Sequence, residues 1–507
     1  MSEQLESLRQ RLAQLADLRH ASNLANWDQQ TMMPQRGAPA RAEALATLER
    51  LSHELFVSAQ TGRLLDSAAA ELNGSPYESD DASLVRLTRR QWEKARRVPT
   101  ELAAELARAA SIGQEAWVAA RRDSDFAAFA PYLEHNLELA RRYVDCLVDT
   151  GGFECAYDVL LDDYEPLMHT SAVAALFAEL KSELVPLIAE VGGRQDEVDP
   201  AIVHRPVSVE RQRALVADVV ALMGFVPEGW RMDDTVHPFA TSIGGGDVRI
   251  TTRWDESYFP MGLYGAMHEC GHGLYEDGIA PSLWRSPLGR ARSLGLHESQ
   301  SRMWENMVGR GAPFCRVLAE RIPDRFGWAP SEVDARGLFC AVNNVMPSLI
   351  RVEADEATYS LHVVMRFELE QELIDGRLSV ADLPEAWNAR VKEYLGIDVP
   401  DDAHGVLQDV HWAAGLIGYF PTYALGNLIA GQLWERANLD LPGLEDRIAE
   451  GDLAALRGWL REHVHRHGAK FTTAELLERE AGGPIRVGAF TTYLARKLAD
   501  VYGLQRG

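Results

Sequence analysis

The chain has 507 residues, 46% of them hydrophobic and 25% charged, a balance that suits a folded protein with a large core rather than a disordered or fibrous one. Its formal charge of −24 repels phosphate backbones and anionic lipid, so neither nucleic acid nor a membrane surface is expected as a partner. Five cysteines, Cys146, Cys155, Cys270, Cys315 and Cys340, are too few and scattered for a disulfide scaffold, and they point to a reducing cytoplasm.

In chain order, Leu5, Leu8, Leu12 and Leu15 recur at helical steps. The same opening stretch carries charges throughout and lacks the apolar core of a secretory signal, so export is not expected. Helical patterns continue over 36–72, 82–148, 170–191 and 208–224, with stops at Gly151-Gly152, at Gly192-Gly193 and around Pro227 to Trp230. Past Gly244-Gly245-Gly246, Asp247 to Trp254 alternates as a strand with Arg249, Thr251 and Arg253 on one face. This predicts a hairpin, and an exposed edge there could pair with an extended peptide. One uncharged run, Val410 to Trp434, is long enough to span a bilayer. His411, Pro421, Asn427, Gln432 and several glycines interrupt it, however, and suit the wall of a buried cleft better. No linker, repeat or low-complexity tract divides the chain, and the fold predicted is mainly α.

The chemistry concentrates in Met267-His268-Glu269-Cys270-Gly271-His272-Gly273. Four residues apart on a helix, His268 and His272 stack on one face, where one metal ion can take a nitrogen from each. Glu269 falls beside the metal rather than on it, as a general base for water activated there. Gly271 is a poor helix-interior residue, which either weakens the helix assignment or marks a place where another segment comes close. Cys270 reads as a small packing residue.

A third ligand is needed. One large class of zinc peptidases places a third His six residues after the second, but this chain has Gly278 there. Glu298, in Gly295-Leu296-His297-Glu298-Ser299-Gln300-Ser301, can complete a His₂Glu site with a fourth position open to water. The plainer alternative for Glu298 is an i,i+4 ion pair with Arg302.

With these motifs the chain resembles the carboxypeptidase Taq family of metallocarboxypeptidases nearly end to end. The resemblance also rests on Trp27 to Pro34, Tyr157 to Pro166, His237-Pro238-Phe239, Asp247 to Thr251, Ile350 to Asp355 and Gly405 to Trp412. It implies one catalytic domain over 1–507, a mostly helical, saddle-shaped and usually dimeric enzyme with a deep cleft. It further implies zinc or cobalt, and stepwise removal of C-terminal residues from peptides with broad side-chain tolerance.

Such a reaction needs a cation for the terminal carboxylate, preferably a bidentate guanidinium. Arg351 is the first candidate and Arg249 the second; an i,i+4 bridge to Asp355 is the structural alternative for Arg351. Oxyanion donors are also needed. His411 and Tyr423 resemble the His and Tyr that related helical zinc peptidases set opposite the metal, with Tyr419 a possible substitute for Tyr423, and His237 is a further candidate. Two other functions compete: an oligopeptidase with the same metal chemistry that cuts internally, and a metal-free scaffold.

Overall fold

The computed structural model describes residues 3–504. Among these there are twenty α-helices and a single three-stranded sheet, so the fold is mainly α as expected. The helical patterns resolve into separate helices broken at local stops. Residues 82–148, for example, contain Asp80–Arg97, Thr100–Asp123 and Phe126–Leu147. Ser79 caps the first by accepting from Ala82 N, and Asp125 caps the third by accepting from Ala128 N, which satisfies amide donors that a helix start leaves free. One hydrophobic cluster runs from Leu5 to Tyr502 and draws on nearly every helix.

The sheet has the order β1 (Trp230–Asp234), β3 (Asp247–Thr252), β2 (Ala240–Gly244). β2 and β3 form the expected antiparallel hairpin about Gly245-Gly246, and β1 adds to the other side of β3 in parallel. This corrects one expectation. The Asp247–Thr252 strand is central, so it offers no free edge to a peptide, and Arg253 lies beyond its end. β2 is an edge strand, and its Ser242 carbonyl accepts from Asn23 Nδ2 of the first helix, Glu3–Thr31, at 2.9 Å. β1 escaped the sequence reading because its residues, Trp-Arg-Met-Asp-Asp, carry no clean alternation; pairing to β3 makes it a strand.

The sheet lies against the helix Pro260–Gly278, where Thr252 Oγ1 donates to the Gly262 carbonyl at 3.1 Å. That helix is buried along most of its length. A Cβ on Gly271 would come within 2.8 Å of the Gln300 carbonyl oxygen and of Ser301 Cα, so the glycine expected to mark a close approach is where the next helix crosses. The uncharged run forms an irregular loop and then a buried helix, Pro421–Asp440. Among the described residues no helix is long and apolar enough to cross a membrane.

Candidate active site

His268 and His272 project from the helix Pro260–Gly278, and Glu298 comes from the short helix Leu294–Arg302, which Ser293 caps by accepting from Leu296 N. Tight packing sets the spacing of the ligand-bearing helix on its other side too: a Cβ on Gly426, in Pro421–Asp440, would lie 2.7 Å from Glu298 Cγ. Glu298 Oε2 is 3.6 Å from His268 Nε2 and 3.4 Å from His272 Nε2. A zinc-type ion takes nitrogen and carboxylate oxygen at about 2.0–2.2 Å in a tetrahedron, whose edges are then about 3.3–3.6 Å. The donor atoms therefore fit one such ion, with Nε2 as the donor of both imidazoles.

The plainer alternative for Glu298 also holds, on its other oxygen. Arg302 Nε donates to Oε1 at 2.7 Å, while Ser301 Oγ donates to Oε2 at 3.0 Å. Ion pair and metal-facing oxygen are two ends of one buried carboxylate, and burial, which alone would raise its pKa, is outweighed by Arg302 and the two histidines, which hold it well below the usual range.

Beyond Arg302 the helix widens into a π-helical stretch, Met303–Gly309, a form that recurs at functional sites. It carries Glu305, whose Oε2 lies 2.9 Å from His268 Nδ1. Glu305 also pairs with Arg302 at 3.6 Å and Arg310 at 3.3 Å. Burial opposes its ionisation, but His268 and the two arginines hold its pKa down to about 2. A carboxylate on the far nitrogen fixes the tautomer and direction of a metal-facing imidazole. Sequence reading missed Glu305. Its signal was the spacing of seven from Glu298, two α-turns along the same face.

The two histidines sit in different electrostatic surroundings. Burial alone would lower His268, but Glu298 and Glu305 raise it to about 9; burial, then His297, push His272 down to about 3. Glu269 is 6% exposed and makes no hydrogen bond with another described residue, and burial lifts its carboxyl to about 7. Cys270 is fully buried and burial raises its thiol pKa, which agrees with a packing residue.

A second group gathers around Arg351. Gln408 joins two of the motifs, accepting from Arg351 N at 2.9 Å and donating to the Leu349 carbonyl at 2.9 Å. Arg351 does not bridge to Asp355, which instead caps the helix Glu356–Ile374 by accepting from Ala357 N and Thr358 N. Its Nε and Nη2 donate to Asp409 Oδ1 at 3.1 and 2.8 Å, and Nη1 donates to Tyr359 Oη at 2.9 Å. Arg366 holds the other oxygen of Asp409 through Nε at 2.7 Å. Burial opposes the charge on Asp409, yet the two arginines hold its pKa far below the usual carboxylate range.

His411 Nε2 lies 3.1 Å from Tyr423 Oη, and burial lowers this histidine to about 4, so it is neutral at pH 7. Tyr419 packs on both, with ring centroids 5.3 Å from each. Arg351 sits 4.9 Å over the Tyr423 ring. The two groups touch through Arg302, whose guanidinium lies 4.0 Å over the ring of Tyr359.

Arg249 and His237 stand apart. Arg249 pairs with Asp247 at 2.9 Å and lies 4.2 Å over Trp27. His237 is exposed in the loop between β1 and β2, without a hydrogen bond, ion pair or ring contact to another described residue. Glu154, Asp158 and His169 form another potential ligand group. There Asp158 is occupied by the Thr170 and Glu154 amides, at 2.6 and 2.8 Å, and serves as a structural clasp.

The family model described as carboxypeptidase Taq (M32) metallopeptidase matches residues 7–498. The chain is 42% identical to thermostable carboxypeptidase 1 of Thermus thermophilus over 490 residues, 95% of each protein. Among solved structures, the M32 carboxypeptidase of Deinococcus radiodurans superposes with a TM-score of 0.94 at 38% identity, covering 99% of this chain and 100% of that one. Metallocarboxypeptidase 1 of Trypanosoma cruzi does so with a TM-score of 0.92 at 32% identity, covering 99% of each. A helical body with a small sheet and a His₂Glu arrangement thus coincide with end-to-end similarity to peptidases that require a divalent metal. The chain belongs to the carboxypeptidase Taq family and is a metallocarboxypeptidase.

Proposed function

We propose that this protein removes C-terminal residues one at a time from peptides, with broad side-chain tolerance, at one site per chain where His268, His272 and Glu298 hold a single zinc or cobalt ion. The observation that carries the reading is the convergence of the three donor atoms beside a Glu269 carboxylate that has no hydrogen-bond partner among the described residues. When bound, the metal supplies Lewis acidity to the scissile carbonyl and to a water molecule. Glu269, buried and with its pKa lifted toward neutrality, takes the proton of the attacking water and passes it to the leaving amine. Tyr423 Oη donates to the oxyanion as it forms, and the Nε2–H of neutral His411 donates to the Tyr423 oxygen and so orients the phenol. His237 is assigned an accessory part.

Exopeptidase action follows from the charge around Arg351. Two guanidinium groups share one carboxylate, Asp409, and His411 is neutral. Three of the five Arg351 N–H groups are spent on Asp409 and Tyr359, which leaves two for the carboxylate that ends a peptide. Arg249, on β3, is the second candidate for the clamp. The catalytic unit spans 1–507 and works as a homodimer in the cytoplasm, a reducing setting that suits five free cysteines.

The test is cleavage of a short peptide, with a free or an amidated C-terminus, by metal-stripped protein before and after adding zinc or cobalt, followed by mass spectrometry. Stepwise shortening of the free peptide in the metal-restored sample is the expected result. Internal cleavage of the amidated peptide would replace the exopeptidase reading by the oligopeptidase one, and no metal-dependent cleavage would overturn the site.

A further inference from the structure

The two histidines of the metal site are supported by different means. His268 is oriented by the Glu305 carboxylate on its Nδ1, the usual device. His272 Nδ1 is buried and has no hydrogen-bond partner among the described residues, so no hydrogen bond from them fixes the turn of its ring. What lies against it is another ring. His297 is stacked on His272 with centroids 4.4 Å apart and planes 16° from parallel.

His297 is itself pinned. Its Nε2 lies 3.0 Å from Glu276 Oε1, and Tyr275 lies nearly parallel to it at 5.5 Å and 23°. Tyr275 in turn stacks on His465 at 5.1 Å and 26°, and His465 Nε2 is 2.8 Å from Gln300 Oε1. His272, Tyr275 and Glu276 belong to the helix Pro260–Gly278, while His297 and Gln300 belong to Leu294–Arg302. The column of rings therefore ties together the two helices that supply the ligands, on the flank where a hydrogen bond is missing.

We propose that His297 is a positioning residue for His272, holding its imidazole by ring stacking in the orientation that directs Nε2 at Glu298. Glu305 does the same for His268 by hydrogen bonding. Glu276 fixes the His297 ring in plane, and Tyr275 and His465 back it. This rests on His268, His272 and Glu298 being the metal ligands.

The experiment compares His297→Leu, which fills the space without a ring, with His297→Phe, which keeps the flat ring and loses the bond to Glu276. Zinc affinity is read by chelator competition, ligand geometry by the visible spectrum of the cobalt-loaded protein, and integrity by thermal unfolding of the metal-free protein. For His297→Leu we expect zinc binding weakened about 10- to 100-fold, the range for outer partners of metal ligands, and shifted cobalt bands. His297→Phe should restore most of the affinity and a near-native spectrum. Wild-type zinc affinity in His297→Leu, or a His297→Phe protein as weak as His297→Leu, would overturn the proposal. His272→Ala separates it from the reading beneath: if that variant also binds zinc like wild type, the ligand assignment fails. If His272→Ala loses zinc and His297→Leu does not, only the stacking is refuted.

Discussion

The metal site and the Arg351 pocket are neighbours with opposite charge imbalance. Around the histidines, neutral as metal ligands must be, three carboxylates, Glu269, Glu298 and Glu305, face two guanidinium groups, Arg302 and Arg310. Around Tyr423, two guanidinium groups, Arg351 and Arg366, face the single carboxylate Asp409. Buried charge is costly unless it is matched. On the proposed function a cation would match the first region and an anion the second, the two things a metallocarboxypeptidase must hold at once. Arg302, paired with Glu298 and stacked on Tyr359, is the shared wall between them.

Four changes would break or sharpen this contrast. The largest effect is expected from Glu269→Gln, which should keep a full metal complement yet lower kcat by about 10²–10⁴-fold, the usual worth of general acid–base catalysis. Metal analysis and steady-state kinetics on one sample decide it, and wild-type turnover would remove Glu269 from the base's role. Asp409→Asn leaves two buried guanidinium groups without their partner and should cost about 3–5 kcal/mol in denaturant unfolding at pH 7. Because the folded pKa of Asp409 lies below its unfolded value of about 3.9, its stabilisation is present above that pH and is lost as pH falls below it. The gap between wild type and Asp409→Asn should therefore narrow on acidification, and a gap independent of pH would count against the ion-pair account.

Tyr423→Phe removes one oxyanion donor and should lower kcat by about 10²–10³-fold with little change in metal affinity. A variant with unchanged kcat would hand the part to Tyr419, which stacks beside it. The smallest effect is expected from Arg351→Met, which leaves Arg366 and Asp409 as a matched pair. Losing charged hydrogen bonds worth about 1.5–3 kcal/mol should lower kcat/KM by roughly 10- to 100-fold on free peptides, with metal affinity unchanged. A parallel loss of metal binding or of thermal stability would point to a general packing defect.

Much of the metal site was legible because it is local. His268, Glu269 and His272 occupy one helical stretch, and helical spacing alone places the two imidazoles together. Glu298 was legible by elimination of position 278 and by its place in a helical segment, although which of its oxygens serves Arg302 and which faces the histidines could only be seen in space. Glu305 was within reach of a seven-residue count. Arg351 was singled out from 58 positions before its partner Asp409, but the partner expected from spacing, Asp355, turned out to cap the next helix. The hairpin was legible from Gly244-Gly245-Gly246 and alternation, while β1, and with it the central rather than edge position of β3, was not.

By itself, then, the sequence determined the helical class, the points where many helices stop, the two-histidine motif with its adjacent glutamate, and the family to which the whole chain is similar. These follow from short-range rules, in which steric preference, capping and periodicity act over a few residues. Tertiary structure alone decided the π-helical turn that brings Glu305 to His268, the sharing of Asp409 by Arg351 and Arg366, and the ring column that backs His272. Each of these joins residues through burial, and a buried polar group takes whichever partner the packing brings within about 3 Å, irrespective of how far apart the two stand in the chain.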